Sequence, residues 1–160
     1  MIIEELDGRK LELSEPANGF AIAKNFYKDK IDNFVAMVID EKPEDLSAII
    51  DKDCKIKFIE ADSKEGLQII RHSTAHILAA AVKNIYGDAV QVTIGPAIDD
   101  GFYYDFAKDE PFSEKDFENI EKVMKEIIKK DEKFSFEVWN RTNAISFFQD
   151  KKENYKVQII

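Results

Sequence analysis

The 160-residue chain holds two histidines, and they stand four apart in Arg71-His72-Ser73-Thr74-Ala75-His76. A four-residue step on an α-helix returns to nearly the same face, so both imidazoles can act on one molecule. Three readings of such a pair stay open on spacing alone. Histidines at i and i+4 are a recurrent zinc pair. The metalloprotease version, however, needs Glu directly after the first histidine, where Ser73 stands, and a third ligand would have to be a carboxylate. A second reading is a polar, metal-free site in which imidazoles with an ordinary pKa near ~6.5 exchange protons or bond a sugar hydroxyl. The third is a solvent-facing pair with no task. Taking Leu78 as the reference direction, Leu67, Thr74, Ala75, Ala81, Val82 and Ile85 lie within about 60° of it, and His72 and His76 roughly 120° to 160° away. The histidines are thus off the core stripe. They share their face with two very small residues, Ala79 and Ala80, and a cation, Lys83, a combination that leaves room for a ligand above the rings.

Other residues carry weaker signals. Gly95-Pro96 and Asp99-Asp100-Gly101 read as turns. Tyr103 and Tyr104 lie on a strand, so one faces inward and the other outward. Lys122, Lys125, Lys129, Lys130 and Lys133 interleave with acidic residues as a solvated helix face. Cys54, alone in the chain, reads as buried sulfur without a partner.

The elements that must position these residues are legible in part. Ile2 to Leu6 and Arg9 to Leu13 flank Asp7-Gly8, which predicts a hairpin with a two-residue turn. Gly19 to Lys28 reads as a short amphipathic helix, and Phe34 to Ile39 and Lys55 to Glu60 as strands. Pro43 to Asp53 reads as a polar connection between them. That order predicts a mixed sheet crossed by one helix, the ubiquitin-like β-grasp, over residues 1–61. Ala61 to Lys64 is a link, Ser63 caps a long helix from Lys64 to Tyr86, and Gly87 closes it. Residues 62–160 read as a second, α+β region. In it two strands meet across the Gly95 to Gly101 turns. A helix capped by Ser113 and Asp116 then carries an apolar stripe of Phe117, Ile120, Val123, Met124, Ile127 and Ile128. A short helix near Asn143 to Phe148 separates strands over Phe134 to Trp139 and Tyr155 to Ile160. The last strand suggests a chain cut inside its domain.

Composition excludes several classes. No apolar run approaches the ~20 residues a membrane span needs, and MIIEELDGRK is too acidic for a signal or transit peptide. With one cysteine and no internal disulfide, a reducing cytoplasm fits. The net charge is -9 from 23 basic and 32 acidic residues, which argues against strong autonomous nucleic-acid binding. Yet Gly66 to Ile98, around the histidines, holds two cations and one carboxylate.

Residues 65–106, EGLQIIRHSTAHILAAAVKNIYGDAVQVTIGPAIDDGFYYDF, together with Tyr155-Lys156-Val157, resemble the bacterial threonyl-tRNA synthetases. Residues 1–61 resemble the TGS domain of that family and residues 62–160 the first part of its editing domain. The resemblance implies hydrolysis of serine wrongly attached to tRNA(Thr), because one missing methyl gives an aminoacylation site only ~1–3 kcal/mol of discrimination. It assigns His72, His76 and Lys156 to catalysis, and Gly95, Pro96 and Tyr104 to the bound seryl-adenosine. It implies no cofactor or metal in this segment. Zinc, ATP and magnesium belong to an aminoacylation region that the chain does not contain. The expected partner is the serine-bearing 3′ end of tRNA(Thr) in the complete enzyme, a homodimer, with the segment alone a monomer. The family's Cys-x-x-x-His has no match here, so activity of the segment alone is not expected. A non-catalytic RNA- or protein-binding adaptor is the competing reading.

Overall fold

The computed structural model describes residues 1–133, 135 and 137–160. Strand β1 (Ile2–Glu5) turns back into β2 (Lys10–Glu12), with Ile3 opposite Leu11 and Glu4 opposite Lys10. The turn is one residue longer than expected. Gly8 N donates to Glu5 O (2.8 Å), Glu5 N donates to Arg9 O (2.9 Å), and of the three loop residues Gly8 takes the left-handed φ, +89°. That geometry is the three-residue hairpin, in which glycine closes a type I turn.

Strand β3 (Ala17–Asn18) leads into α1 (Gly19–Tyr27), where the Asn18 side chain accepts from Ala21 N at 3.0 Å. Strand β4 (Phe34–Ile39) pairs with β5 (Lys42–Glu44) across Asp40 and Glu41, at φ +46° and +70°. Both central residues are therefore left-handed, as a type I′ turn demands. Asp40 is held there from both sides: its N donates to Lys55 O (3.0 Å) and its Oδ1 accepts from Lys55 N (2.9 Å). The expected polar connection from Pro43 onward thus contains β5 and also β6 (Ile49–Ile50), which pairs with β3. Strand β7 (Cys54–Glu60) completes a five-stranded sheet in the order β2-β1-β7-β4-β5, parallel between β1 and β7 and antiparallel elsewhere. Ile22 and Ala23 of α1 share a core with Ile3, Met37, Ile56 and Phe58 of the sheet. This is the expected β-grasp. Cys54 is buried in that core, and burial pushes its thiol up, away from reactivity.

Helix α2 (Lys64–Tyr86) has the expected bounds. Ser63 Oγ accepts from Gly66 N at 3.0 Å, and Gly87 leaves the helix at φ +55°. Two compact units, Met1–Ile70 and Arg71–Ile160, divide the chain within this helix. In the second unit β8 (Val90–Val92), β9 (Ala97–Ile98), β10 (Gly101–Phe102) and β11 (Phe106–Lys108) are the two arms of one hairpin. Val92 faces Phe106 near the base and Ile98 faces Gly101 at the tip. Four residues separate β8 from β9, but three separate β10 from β11. The extra residue is a bulge: Thr93 N donates to Asp105 O (3.2 Å) and Asp105 N donates to Ile94 O (3.0 Å), two residues against one.

Helix α3 (Glu114–Lys130) begins at a capping box in which Asp116 Oδ2 accepts from Ser113 N (2.7 Å) and Ser113 Oγ (2.9 Å). Its Ile120, Val123, Met124 and Ile127 pack with Ala81, Val82 and Val90. Phe117 and Ile128, expected on the same stripe, are exposed. The two strands expected on either side of α4 (Arg141–Asp150) are corrected. Of Phe134 to Trp139, Phe134 and Phe136 lie outside the described residues, and Glu137, Val138 and Trp139 form no strand. Of Tyr155 to Ile160, all but the capping Ile160 fall in α5 (Asn154–Ile159), a short helix. Its alternating aromatic and branched residues fit a strand locally. Glu153 overrides them, because its buried side chain is tied to α2 and β8 and its carbonyl accepts from Val157 N at 3.2 Å.

Candidate functional site

Helix α2 puts His72 and His76 on its exposed face, off the core as the angular pattern requires. Their Nε2 atoms are 3.0 Å apart and the rings meet edge to face at 87°. At that distance one nitrogen must donate and the other accept, so the pair shares one proton between the rings. Burial, the facing His72 and the nearby Lys156 ammonium all lower the His76 pKa below its ordinary value, in that order of size. A cleft of about 380 Å³ opens beside His76, lined by Ile77, Ala80, Ile127 and Ile128, with Asp131, Glu132 and Lys133 at its edge.

The rest of the expected histidine face is less open than its small residues suggest. Ala79 is buried. Lys83 Nζ is engaged by Glu153 Oε1 at 2.6 Å and donates to Val90 O at 3.1 Å.

Lys156 comes from α5, eighty residues beyond His76, and its Nζ donates to Thr93 O at 2.6 Å. It thereby ties α5 to the bulged arm of the hairpin. Two residues along that arm is Gly95, where a Cβ would come within 2.0 Å of Tyr104 Cδ2. Only glycine lets the Tyr104 ring lie so close to the backbone. Tyr104 faces in and stacks on Phe106 (4.9 Å, 25°), while Tyr103 is exposed. Burial and the charge of Glu153 push the Tyr104 hydroxyl up, so it stays protonated as a donor. Pro96 O accepts from Tyr103 N at 3.5 Å, at the far end of this stretch.

Of the expected site residues, His72 and His76 are bonded to each other, Lys156 is fastened to Thr93 on the hairpin arm, and Gly95, followed by Pro96 on that arm, lies against the Tyr104 ring. Among the described residues no three side chains of His, Cys, Asp or Glu come together. Three residues of the assembly escape the sequence reading. Arg71 Nη1 donates to Asp99 O (2.6 Å) and Ile98 O (3.3 Å), fastening the hairpin tip beside His72. Thr93 supplies the carbonyl for Lys156, and Glu153 pairs with Lys83. Lys83 stood out for its place on the helix face, but no local pattern links it to a partner seventy residues away.

The fold and these residues define a two-unit α+β chain with a hydrogen-bonded imidazole pair on α2 and a lysine of α5 fastened to the hairpin of the second unit. The comparisons with known proteins point in one direction. The chain is 45% identical over 154 residues, 96% of its length, to the threonine–tRNA ligase of Pelagibacter ubique (strain HTCC1062), and covers 24% of that protein. It is 49% identical over 142 residues to the threonine–tRNA ligase of Ehrlichia ruminantium (strain Gardel), which is 89% of this chain and 22% of the relative. The ligase of Parvibaculum lavamentivorans is 40% identical over 154 residues, again 24% of its length. The chain is therefore homologous, over nearly all of its own length, to a part of threonine–tRNA ligases, and spans about a quarter of the relatives it matches. No protein-family model matches it.

Proposed function

We propose that this chain is the TGS domain, residues 1–61, and the first part of the editing domain, residues 62–160, of a threonine–tRNA ligase acting in protein synthesis in the cytoplasm. The region takes part in hydrolysing serine wrongly esterified to the 3′ end of tRNA(Thr). The observation that carries this reading is the hydrogen-bonded imidazole pair, with the Lys156 ammonium anchored on Thr93 O, in a chain so similar to those ligases.

Water attacks the seryl carbonyl carbon, and the ester bond to the terminal ribose oxygen breaks. The products are free serine and a ribose hydroxyl. A proton must leave the water and reach the departing oxygen. A neutral His76 is suited to that transfer, since its lowered pKa keeps it deprotonated near neutral pH. His72 orients it through the shared proton and can bond the ribose hydroxyl. Lys156 holds the water or the developing oxyanion, where fixed positive charge lowers the barrier. Gly95, Pro96 and Tyr104 provide the wall against which the seryl-adenosine rests.

The test is deacylation of Ser-tRNA(Thr) by the complete ligase. Exchange of His72, His76 or Lys156 for Ala is expected to lower the rate at least ~100-fold while threonine attachment continues. Unchanged deacylation in all three variants would overturn the reading. One observation favours a second reading for the polypeptide taken alone. It has no match to the Cys-x-x-x-His of the editing wall, so by itself it binds without hydrolysing.

A further inference from the structure

We infer that Glu153 and Lys83 form a latch that sets the position of Lys156: positioning residues for the centre proposed above, acting from behind it. The latch joins three elements. Lys83 rises from α2 two turns beyond His76, with Nζ on Glu153 Oε1 (2.6 Å) and Val90 O (3.1 Å). Glu153 Oε2 accepts from Val92 N at 3.4 Å, and Asn154 N donates to Gln91 Oε1 at 3.0 Å. Four consecutive residues, Val90 to Thr93, thus each hold one polar atom of Lys83 or of the Glu153 to Lys156 segment. Lys156 on Thr93 O is the last of the four.

The physical case rests on the burial of Glu153, which is 8% exposed and stands immediately before α5. A carboxylate withdrawn from water persists only when paired and hydrogen-bonded, and its partners therefore fix its place closely. A helix of six residues has little stability of its own. Its first turn is held by this carboxylate, and Lys156 is three residues on, within that turn. Break the pair and the first turn of α5 loses its hold on β8. The long Lys156 side chain then samples many positions in place of one.

This inference rests on the proposed function for its catalytic consequence but not for its structural one, and two measurements separate them. The first is the titration of His76 followed by NMR in this chain, where two histidine signals are present. The groups facing His76 are His72 on its own helix, Lys156 from α5, and Asp131, Glu132 and Lys133 beyond the end of α3. Lys156→Met is the control and moves the His76 midpoint up toward the ordinary imidazole value. Lys83→Met and Glu153→Gln are expected to move it up in the same way, while Lys83→Arg retains the original midpoint. Unchanged methyl signals of Ala81, Val82 and Ile120 show that the core is intact. If Lys83→Met and Glu153→Gln leave the midpoint where it was although Lys156→Met moves it, the latch does not exist.

The second measurement is Ser-tRNA(Thr) deacylation by the complete ligase. Glu153→Gln and Lys83→Met are expected to lower kcat about 10-fold or more with KM within about 2-fold, and Lys83→Arg to restore it, since misplacing a reacting group by ~1 Å can cost ~100-fold. A midpoint that moves with no change in deacylation leaves the latch standing and removes Lys156 from the proposed chemistry.

Discussion

At the scale of single residues, the centre depends on which groups are neutral. The folded pKa of His76 lies below its unfolded value, so the imidazole stays neutral as pH falls past ~6.5 and gains its proton only at the lowered value. Deacylation by the complete ligase is therefore expected to hold down to a pH below the ordinary histidine range before it drops, which a kcat–pH profile reads directly. Linkage runs the same way: between those two pKa values the unfolded chain binds more protons, so stability is lost as pH falls through that window. Gly95 makes a second, steric demand. In Gly95→Ala the new methyl collides with the Tyr104 ring, so either the ring leaves or the arm shifts. The expected outcome is loss of Tyr104–Phe106 stacking, seen as changed ring proton shifts, and slower deacylation, with the α2–α3 core preserved. The histidine pair was plain in the sequence because a four-residue spacing is a local signal. Glu153 was not, because a buried ion pair between residues 83 and 153 leaves no mark in either neighbourhood.

Among the elements, legibility followed length. Helices α2 and α3 each have a side-chain cap and a long run of apolar positions, and both match their expected starts. β3, β5 and β6 are two or three residues long, too short for alternation to show, and β5 tolerates Pro43 because it lies at the edge of the sheet. α5 was missed because branched and aromatic residues favour strands while tertiary contacts decide. The turn between β4 and β5 also departs from local preference, since it places Asp40 and Glu41 where glycine is favoured. A left-handed L-residue costs roughly 1–2 kcal/mol and glycine gives back roughly 0.5–1 of that in chain entropy. Glu41→Gly is thus expected to stabilise the first unit by about 0.5 kcal/mol, measured by urea unfolding with an unchanged slope. Asp40→Gly would forfeit the bond to Lys55 N and is expected to destabilise.

For the whole molecule, the two units have separate apolar clusters. Ile3 to Phe58 supply one, and Ala81, Val82, Val90 and Ile120 are the buried members of the other. Trp139, the single tryptophan, belongs to the second unit. Urea unfolding followed by tryptophan fluorescence is therefore expected to give a midpoint different from that of far-ultraviolet circular dichroism, which sees both units; coincident curves would argue for one cooperative whole. The net charge of -9 divides as -5 over residues 1–60 and -4 over 61–160, while Gly66 to Ile98, around the histidines, holds two cations and one carboxylate. The bulge at Thr93 and Ile94 also decides where the length of such chains can vary through descent. Insertions beside Asp99 and Asp100 lengthen a tip and leave both arms in phase. Deletion of Thr93 or Ile94 would turn the two-against-one step into an even one: Gly95 would still face Tyr104, but the arm would lose the local bend that the extra residue gives it.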